Sequence, residues 1–479
     1  MNKEIIKKTA QRCREKNIII PTFKQLKNPN LIPDKIKNKL KKVGLWDVSP
    51  INLFRINWHN DPKTGLFGEV NYIEFPGEIT GVKARIVALI GKYFPTGSHK
   101  VGAAFGCLVP RLVKGEFDPT TQKAVWPSTG NYCRGGAFDS ALLGCPSIAI
   151  LPEGMSRERF EWLKSIGSEV IATPGTESNV KEIYDKCWEL RKTRNDIVIF
   201  NQFDEFGNAI WHYHITGLAI EEVFNKIKTK RSRFSSFCSA TGSAGTIAAG
   251  DYLKKLNPYM KITASEALQC PTLSLNGFGE HRIEGIGDKH VPWIHNVRNT
   301  DFIAAIDDGA CMSIIRLFNE EEGKKYLISQ GVESDIVEKL DLVGISGVSN
   351  ILSAIKTAKY MELNEDDIVF TVLTDSMELY QSRIKEMRDL YGRYTKENAI
   401  ADYHKYLMGQ TIDYIKELSY YDRKAIHNLK YFTWVEQQGK TSDELRKLWS
   451  RDFWDEMWSA VNQWDRDIEE FNSLVGLSN

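Results

Sequence analysis

No apolar run in this chain of 479 residues approaches the roughly 20 residues that a membrane-crossing helix needs. Its first residues, Met1-Asn2-Lys3-Glu4, are polar and have no signal-peptide core behind them. These absences predict a cytoplasmic protein with no membrane partner. Charge of one sign is lacking too: 63 basic against 62 acidic side chains leave no net field to recruit nucleic acid. The eight cysteines show neither CxxC nor Cys/His ligand spacing, which argues against a zinc site and a disulfide framework and predicts no metal. What is there is an ordinary globular composition, 42% hydrophobic and 26% charged, with room for two or three domains. The expected partners are small molecules or other subunits.

Residues 1–50 are lysine-rich and broken by Pro21, Pro29 and Pro33, which reads as an N-terminal arm packed outside a core. From Lys83 onward short Val/Ile-rich runs alternate with helix-length amphipathic segments. The predicted strands are Arg85–Ile90, Lys123–Trp126, Ser147–Leu151, Glu169–Ala172, Ile197–Phe200, Phe234–Cys238, Ile262–Ser265 and Asp367–Leu373. The predicted helices include Arg157–Ile166, Val180–Arg191, Ala209–Lys226, Ala244–Leu256 and Asn350–Met361. That alternation predicts an α/β fold with a parallel sheet covered on both faces and ligands bound at the carboxyl ends of the strands. Residues 381–479 change character to a charged, helical, aromatic-rich extension. There Trp449, Phe453, Met457 and Val461 recur every fourth residue and so share one face of a single predicted helix, with Trp454 and Trp458 widening the stripe, and a helical layer against the core or a second subunit is expected.

After the run Arg85–Ile90 the turn Phe94-Pro95-Thr96-Gly97-Ser98-His99 delivers Lys100. Burial and fixed positive neighbours can bring a lysine pKa from near 10 down to about 7–8, as a Schiff-base lysine requires. The competing reading is an ordinary surface lysine in a Pro/Gly turn. A nucleotide P-loop is excluded, because no glycine stands at the required spacing and Val101 replaces the magnesium-binding hydroxyl. Three strand-end loops carry further chemistry. Pro127-Ser128-Thr129-Gly130-Asn131 opens a helix and suits a carboxylate, or is simply an N-cap. Asn201-Gln202-Phe203 puts a polar pair at a strand end. Ser239-Ala240-Thr241-Gly242-Ser243-Ala244-Gly245-Thr246 offers small residues whose amides and hydroxyls can wrap a phosphate, and it lacks the GxGxxG dinucleotide pattern.

Completed by Asp367-Ile368-Val369-Phe370-Thr371-Val372-Leu373-Thr374-Asp375-Ser376, these parts describe a pyridoxal-phosphate site. From about Ser49 to Tyr380 the chain resembles the fold-type II pyridoxal-phosphate enzymes, the tryptophan synthase β superfamily, in the family's order and spacing. Within it the chain looks most like cysteine synthase and cystathionine β-synthase. The matching motifs include Pro95–Lys100, Ser128–Asn131, Pro152–Arg159, Asn201–Phe203, Asn208, His212, Thr216 and Gly217. His281-Arg282-Ile283-Glu284-Gly285-Ile286-Gly287, Val343–Gly347 and Leu373–Ser376 follow in register.

The resemblance implies a two-domain fold with parallel sheets covered by helices, a smaller mobile domain at about 101–210 and a larger one from 51–100 and 211–380. It implies pyridoxal 5′-phosphate held by Lys100, Asn131, the loop Thr241, Gly242, Ser243, Ala244, Gly245 and Thr246, and Ser376 on the pyridine nitrogen. It places the substrate on Ser128, Thr129, Gly130, Asn131, Gln202 and Gly285, with Lys100 the catalytic base, and it implies a homodimer. A neutral Ser376 makes the ring a weaker electron sink and favours expelling a β-substituent. The expected activity is therefore β-elimination or β-replacement on a serine- or cysteine-type amino acid through an aminoacrylate. A threonine synthase- or dehydratase-like enzyme, and a non-catalytic partner-binding subunit, are the alternatives. Tyr132 and Arg134 depart from the family's small or apolar residues, predicting a narrower pocket, a welcome for an anionic side chain, or merely a solvent-facing arginine.

Overall fold

Eleven strands form among the described residues: β1 (Tyr72–Phe75), β2 (Arg85–Ile90), β3 (Lys123–Pro127), β4 (Ser147–Pro152), β5 (Glu169–Thr173), β6 (Ile197–Ile199), β7 (Arg233–Ala240), β8 (Lys261–Ala267), β9 (Phe302–Ile306), β10 (Asp367–Leu373) and β11 (Ile415–Glu417). The computed structural model describes residues 2–477 apart from 129, 156, 176–179 and 288. The chain divides into two units, Met1–Asn71 with Tyr93–Ala219 and Ser450–Asn479, and Tyr72–Lys92 with Ile220–Trp449.

The first unit holds the four-stranded sheet β5-β4-β3-β6, parallel throughout. Its core joins Val125, Ile148 and Ile150 to Ile183, Cys187 and Leu190 of the helix Val180–Thr193. Helices Lys100–Val113 and Asn131–Leu142 pack so closely that a Cβ on Gly135 would lie 2.8 Å from the Val101 backbone. The arm and the chain end belong to this unit: Phe23 is buried against Phe105 and Trp464, and Arg14 donates to the carbonyls of Leu474 and Val475. The last aromatic stretch corrects the expectation of one continuous helix. It is two helices, Arg451–Ser459 and Val461–Val475, and the buried edge runs through Trp454, Trp458 and Val461. Trp449, Phe453 and Met457 are only partly covered. The two indoles offer more apolar area to bury, and Trp458 stacks flat on Tyr213 with ring centroids 4.3 Å apart.

The second unit holds the seven-stranded sheet β1-β2-β10-β7-β8-β9-β11. Its five inner strands are parallel, as expected, but both edges are antiparallel: β1 pairs β2 and β11 pairs β9. The sequence reading missed β1, β9 and β11. At three to five residues each they are too short for a period to emerge. β7 runs on to Ala240 and the following helix begins only at Ala248, because Ala244 takes a left-handed φ of 60° that no helix accommodates. Asn350, from the helix Ile345–Tyr360, accepts from the Ala240 N–H and donates to the Val372 carbonyl. It straps together the ends of the two central strands whose loops carry the expected site.

Candidate active site

In the first unit the lysine turn is held in an uncommon conformation, with Thr96 at φ 67° and Gly97 at φ 69°. Trp46 closes over it, its ring carbon 3.1 Å from where a Cβ on Gly97 would stand. Lys100 then opens the helix Lys100–Val113, so its amine stands by the positive end of the helix dipole. Its Nζ donates to Gln202 Oε1 at 3.3 Å, and Gln202 Nε2 donates to Ser128 Oγ at 3.4 Å, which also accepts the Gly130 N–H at 3.2 Å. Burial lowers the Lys100 pKa to about 8. His99 is fully buried and its pKa falls to about 3, and burial drives His212, packed edge-on at 4.8 Å, well below the ordinary value. Two neutral imidazoles therefore lie within electrostatic reach of one readily deprotonated amine, which itself bonds Gln202.

Arg111 fixes the Gln202 loop by its ion pair with Glu205 at 2.5 Å. Asn131 begins the helix Asn131–Leu142 and is 8% exposed. The Arg159 guanidinium lies against Gly130, 3.0 Å from a would-be Cβ. Thr129 lies outside the described residues. The two departures from the family pattern turn inward. The Tyr132 hydroxyl donates to the Phe200 carbonyl. Arg134, expected on the solvent face as one alternative, is 6% exposed and lies between the rings of Trp46 and Trp162 at 5.4 and 5.1 Å. The flat guanidinium exchanges water for two aromatic faces.

In the second unit the loop Thr241–Thr246 follows β7. Thr241 donates through N–H and hydroxyl to the Ser265 carbonyl, and Ser243 and Thr246 are buried. A Cβ on Gly242 would stand 3.1 Å from the Gly285 carbonyl, so glycine lets the loop of Gly285 lie directly on it. Gly285 itself has φ 89° and an open side. Ser376 follows β10 and is 1% exposed, while its neighbour Asp375 accepts from the Tyr380 hydroxyl at 2.6 Å. A Cβ on Gly344 would meet the Asp375 carboxylate, so glycine there leaves that side chain in its place. A cup of small residues with a left-handed turn at Ala244 fits a phosphate, and the neutral-leaning amine of Lys100 fits an aldehyde. The residues of each unit thus fit their part of pyridoxal phosphate.

Sequence reasoning passed over Asn350, Tyr380 and Trp46. Asn350 announces itself as a lone amide in the apolar stretch Ile345–Ala358, whereas the other two carry no local signal.

Comparison with known proteins agrees with this chemistry. The family described as "Pyridoxal-phosphate dependent enzyme" matches residues 78–324. A cysteine synthase of Staphylococcus aureus is 30% identical over 323 residues, covering 67% of this chain and 96% of that protein. The cystathionine beta-synthase of Saccharomyces cerevisiae is 26% identical over 312 residues, 63% of this chain and 58% of that one. Among solved structures, O-acetyl serine sulfhydrylase isoform 3 of Entamoeba histolytica superposes with a TM-score of 0.58 at 25% identity, over 72% of this chain and 98% of that one. With this family match and these relatives, the chain belongs to the fold-type II pyridoxal-phosphate-dependent enzymes.

Proposed function

We propose that this enzyme acts on a serine- or cysteine-type amino acid, removing its α-proton and then eliminating or replacing its β-substituent, in the manner of a cysteine synthase. The observation that carries this reading is the Lys100 amine, pKa about 8, donating to Gln202, whose amide in turn reaches Ser128. A base thus lies next to a candidate carboxylate seat. Pyridoxal phosphate, when bound, supplies an aldehyde for that amine and a ring that draws electrons from the bonds at the substrate's Cα.

In this reading Lys100 would hold the aldehyde, the amides and hydroxyls of Thr241–Thr246 the phosphate, Ser376 the pyridine nitrogen and Asn131 the ring hydroxyl. Ser128, Thr129, Gly130, Asn131, Gln202 and Gly285 hold the amino acid and turn its Cα–H bond toward Lys100 Nζ. Gln202 Oε1 takes one Lys100 N–H and so directs the remaining lone pair. Lys100 then accepts the α-proton as general base, for which a pKa near neutrality keeps both forms populated. The ammonium so formed meets neutral His99 and His212, so neither repels it. Ser376 would offer the pyridine nitrogen a neutral hydroxyl instead of a carboxylate, which would favour loss of a β-substituent. The working form we propose is a cytoplasmic homodimer, supported by the family likeness. Among the described residues no helix is long and apolar enough to cross a membrane. Sedimentation equilibrium tests the dimer.

The deciding experiment is the visible spectrum of the protein with pyridoxal phosphate, before and after serine, O-acetylserine and cysteine in turn. A cofactor band that Lys100→Ala abolishes, and that one of the three shifts to longer wavelength, supports the reading. A band that none of them moves removes the serine/cysteine substrate class.

A further inference from the structure

We propose that Arg383 is a positioning residue for the substrate loop 281–287, so that the helix Gln381–Tyr391, beyond the residues the family matches, sets the affinity of the site for its amino acid. This rests on the reading above that Gly285 contacts substrate.

The loop 281–287 has no regular secondary structure, and its two glycines stand at φ 89° and 79°. Glycine holds such angles cheaply but does not choose them, so contacts from outside must select the loop's conformation. One contact is Arg282, whose N–H and guanidinium both reach Asp308. Another falls on Glu284, whose side chain is 6% exposed and pairs with Arg383, Nε to Oε1 at 2.5 Å. Arg383 is itself aimed by Glu386 at 2.7 Å, one turn along the same helix. The start of that helix is tied down independently. Tyr380, 1% exposed, donates to Asp375, the neighbour of Ser376, and Gln381 donates to the Met377 carbonyl at 2.8 Å. Because the Gly285 carbonyl also lies on Gly242, one helix braces the substrate loop against the phosphate loop and beside the Ser376 turn.

A carboxylate as buried as Glu284 is stable where it is only while cations and donors hold it, and losing this cation pushes it toward water, carrying Gly285 with it. A displacement on the order of 1 Å at a substrate contact is worth up to about 100-fold. The work would therefore fall on substrate binding, and Lys100 chemistry would be left alone.

The test uses the full-length protein loaded with pyridoxal phosphate and four forms: wild type, Arg383→Ala, Arg383→Lys and the double variant Arg383→Ala/Glu284→Gln. Arg383→Ala is expected to take up cofactor normally while its KM, and the concentration of amino acid needed for half the spectral shift, rise about 10- to 100-fold with kcat nearly unchanged. Arg383→Lys falls between. The double variant recovers most of the loss, because no charge is left buried. Hydrogen exchange over 281–287, measured without cofactor, quickens in Arg383→Ala and slows again in the double variant. Unchanged exchange in that loop overturns the proposal, as does an unchanged KM in an Arg383→Ala protein that binds cofactor and responds to substrate. If wild type itself shows no cofactor band, the functional reading fails, and the exchange measurement alone decides the brace.

Discussion

A single methyl group at residue 135 sets two magnitudes against each other. Gly135 lies in the helix that begins at Asn131, and a Cβ there would come within 2.8 Å of the Val101 Cα and N and 3.0 Å of the Lys100 carbonyl carbon. Carbon atoms rest at about 3.5–4.0 Å, so Gly135→Ala must part the two helices by roughly 0.7–1.2 Å at the lysine itself. Alanine in mid-helix favours folding by about 1 kcal/mol over glycine. Overpacking opposes it at about 1–3 kcal/mol. The atoms struck are backbone and cannot rotate away, which selects the upper half of that range and leaves a net loss of about 1–2 kcal/mol. The functional effect is larger: moving Lys100 by about 1 Å relative to Gln202 and Ser128 predicts a fall in kcat/KM of up to about 100-fold. Urea denaturation and steady-state kinetics on the substrate that shifts the spectrum measure the two. A variant more stable than wild type, with kcat/KM intact, would refute the close approach and leave helix propensity as the only effect.

Three further outcomes follow from the same coordinates. Uptake of pyridoxal phosphate by the apo-protein needs the neutral Lys100 amine, so its rate should rise with pH through about 8; a stopped-flow profile flat across that pH contradicts the assignment. Asp139 is fully buried with neither oxygen hydrogen-bonded among the described residues, and burial raises its pKa well above the ordinary value. The folded state therefore holds a proton that the unfolded chain releases near pH 4, so the contribution of Asp139 to stability falls as pH rises above about 4, by up to about 1.4 kcal/mol per unit until the raised pKa is reached. Asp139→Ala should remove that contribution and be about 1–3 kcal/mol more stable at pH 7, and a pH dependence identical to wild type in urea titrations would show that Asp139 is paired. Arg134→Ala gives up two aromatic faces in a nearly dry position and should lower stability by about 1–3 kcal/mol, read by denaturation alongside Arg134→Lys, which recovers only part.

The pattern of the chain was enough to announce its class. Every parallel strand except β9 falls on an expected run, and Ser128, Gln202, Thr241 and Ser376 follow β3, β6, β7 and β10, because a buried parallel strand is largely apolar and leaves polar residues to the loop that follows. Lys100 was legible as a candidate base because it closes a Pro/Gly turn after such a strand. The antiparallel edges were not legible: β1 and β11 are three or four residues long, and their partners are chosen by which sheet edge stands open. The same holds for Arg134, whose sequence neighbours suit a solvent face, while Trp46 and Trp162 come to it from 88 and 28 residues away. By itself the sequence determined the α/β class, through local pattern, and the cofactor family, through its resemblance to known enzymes. Only the tertiary structure decided that Lys100 is held where its proton is easily lost, that Tyr132 and Arg134 face inward, and that Arg383 reaches Glu284. Burial and charge pairing depend on which distant segments exclude water from a side chain, and no local stretch of sequence carries that information.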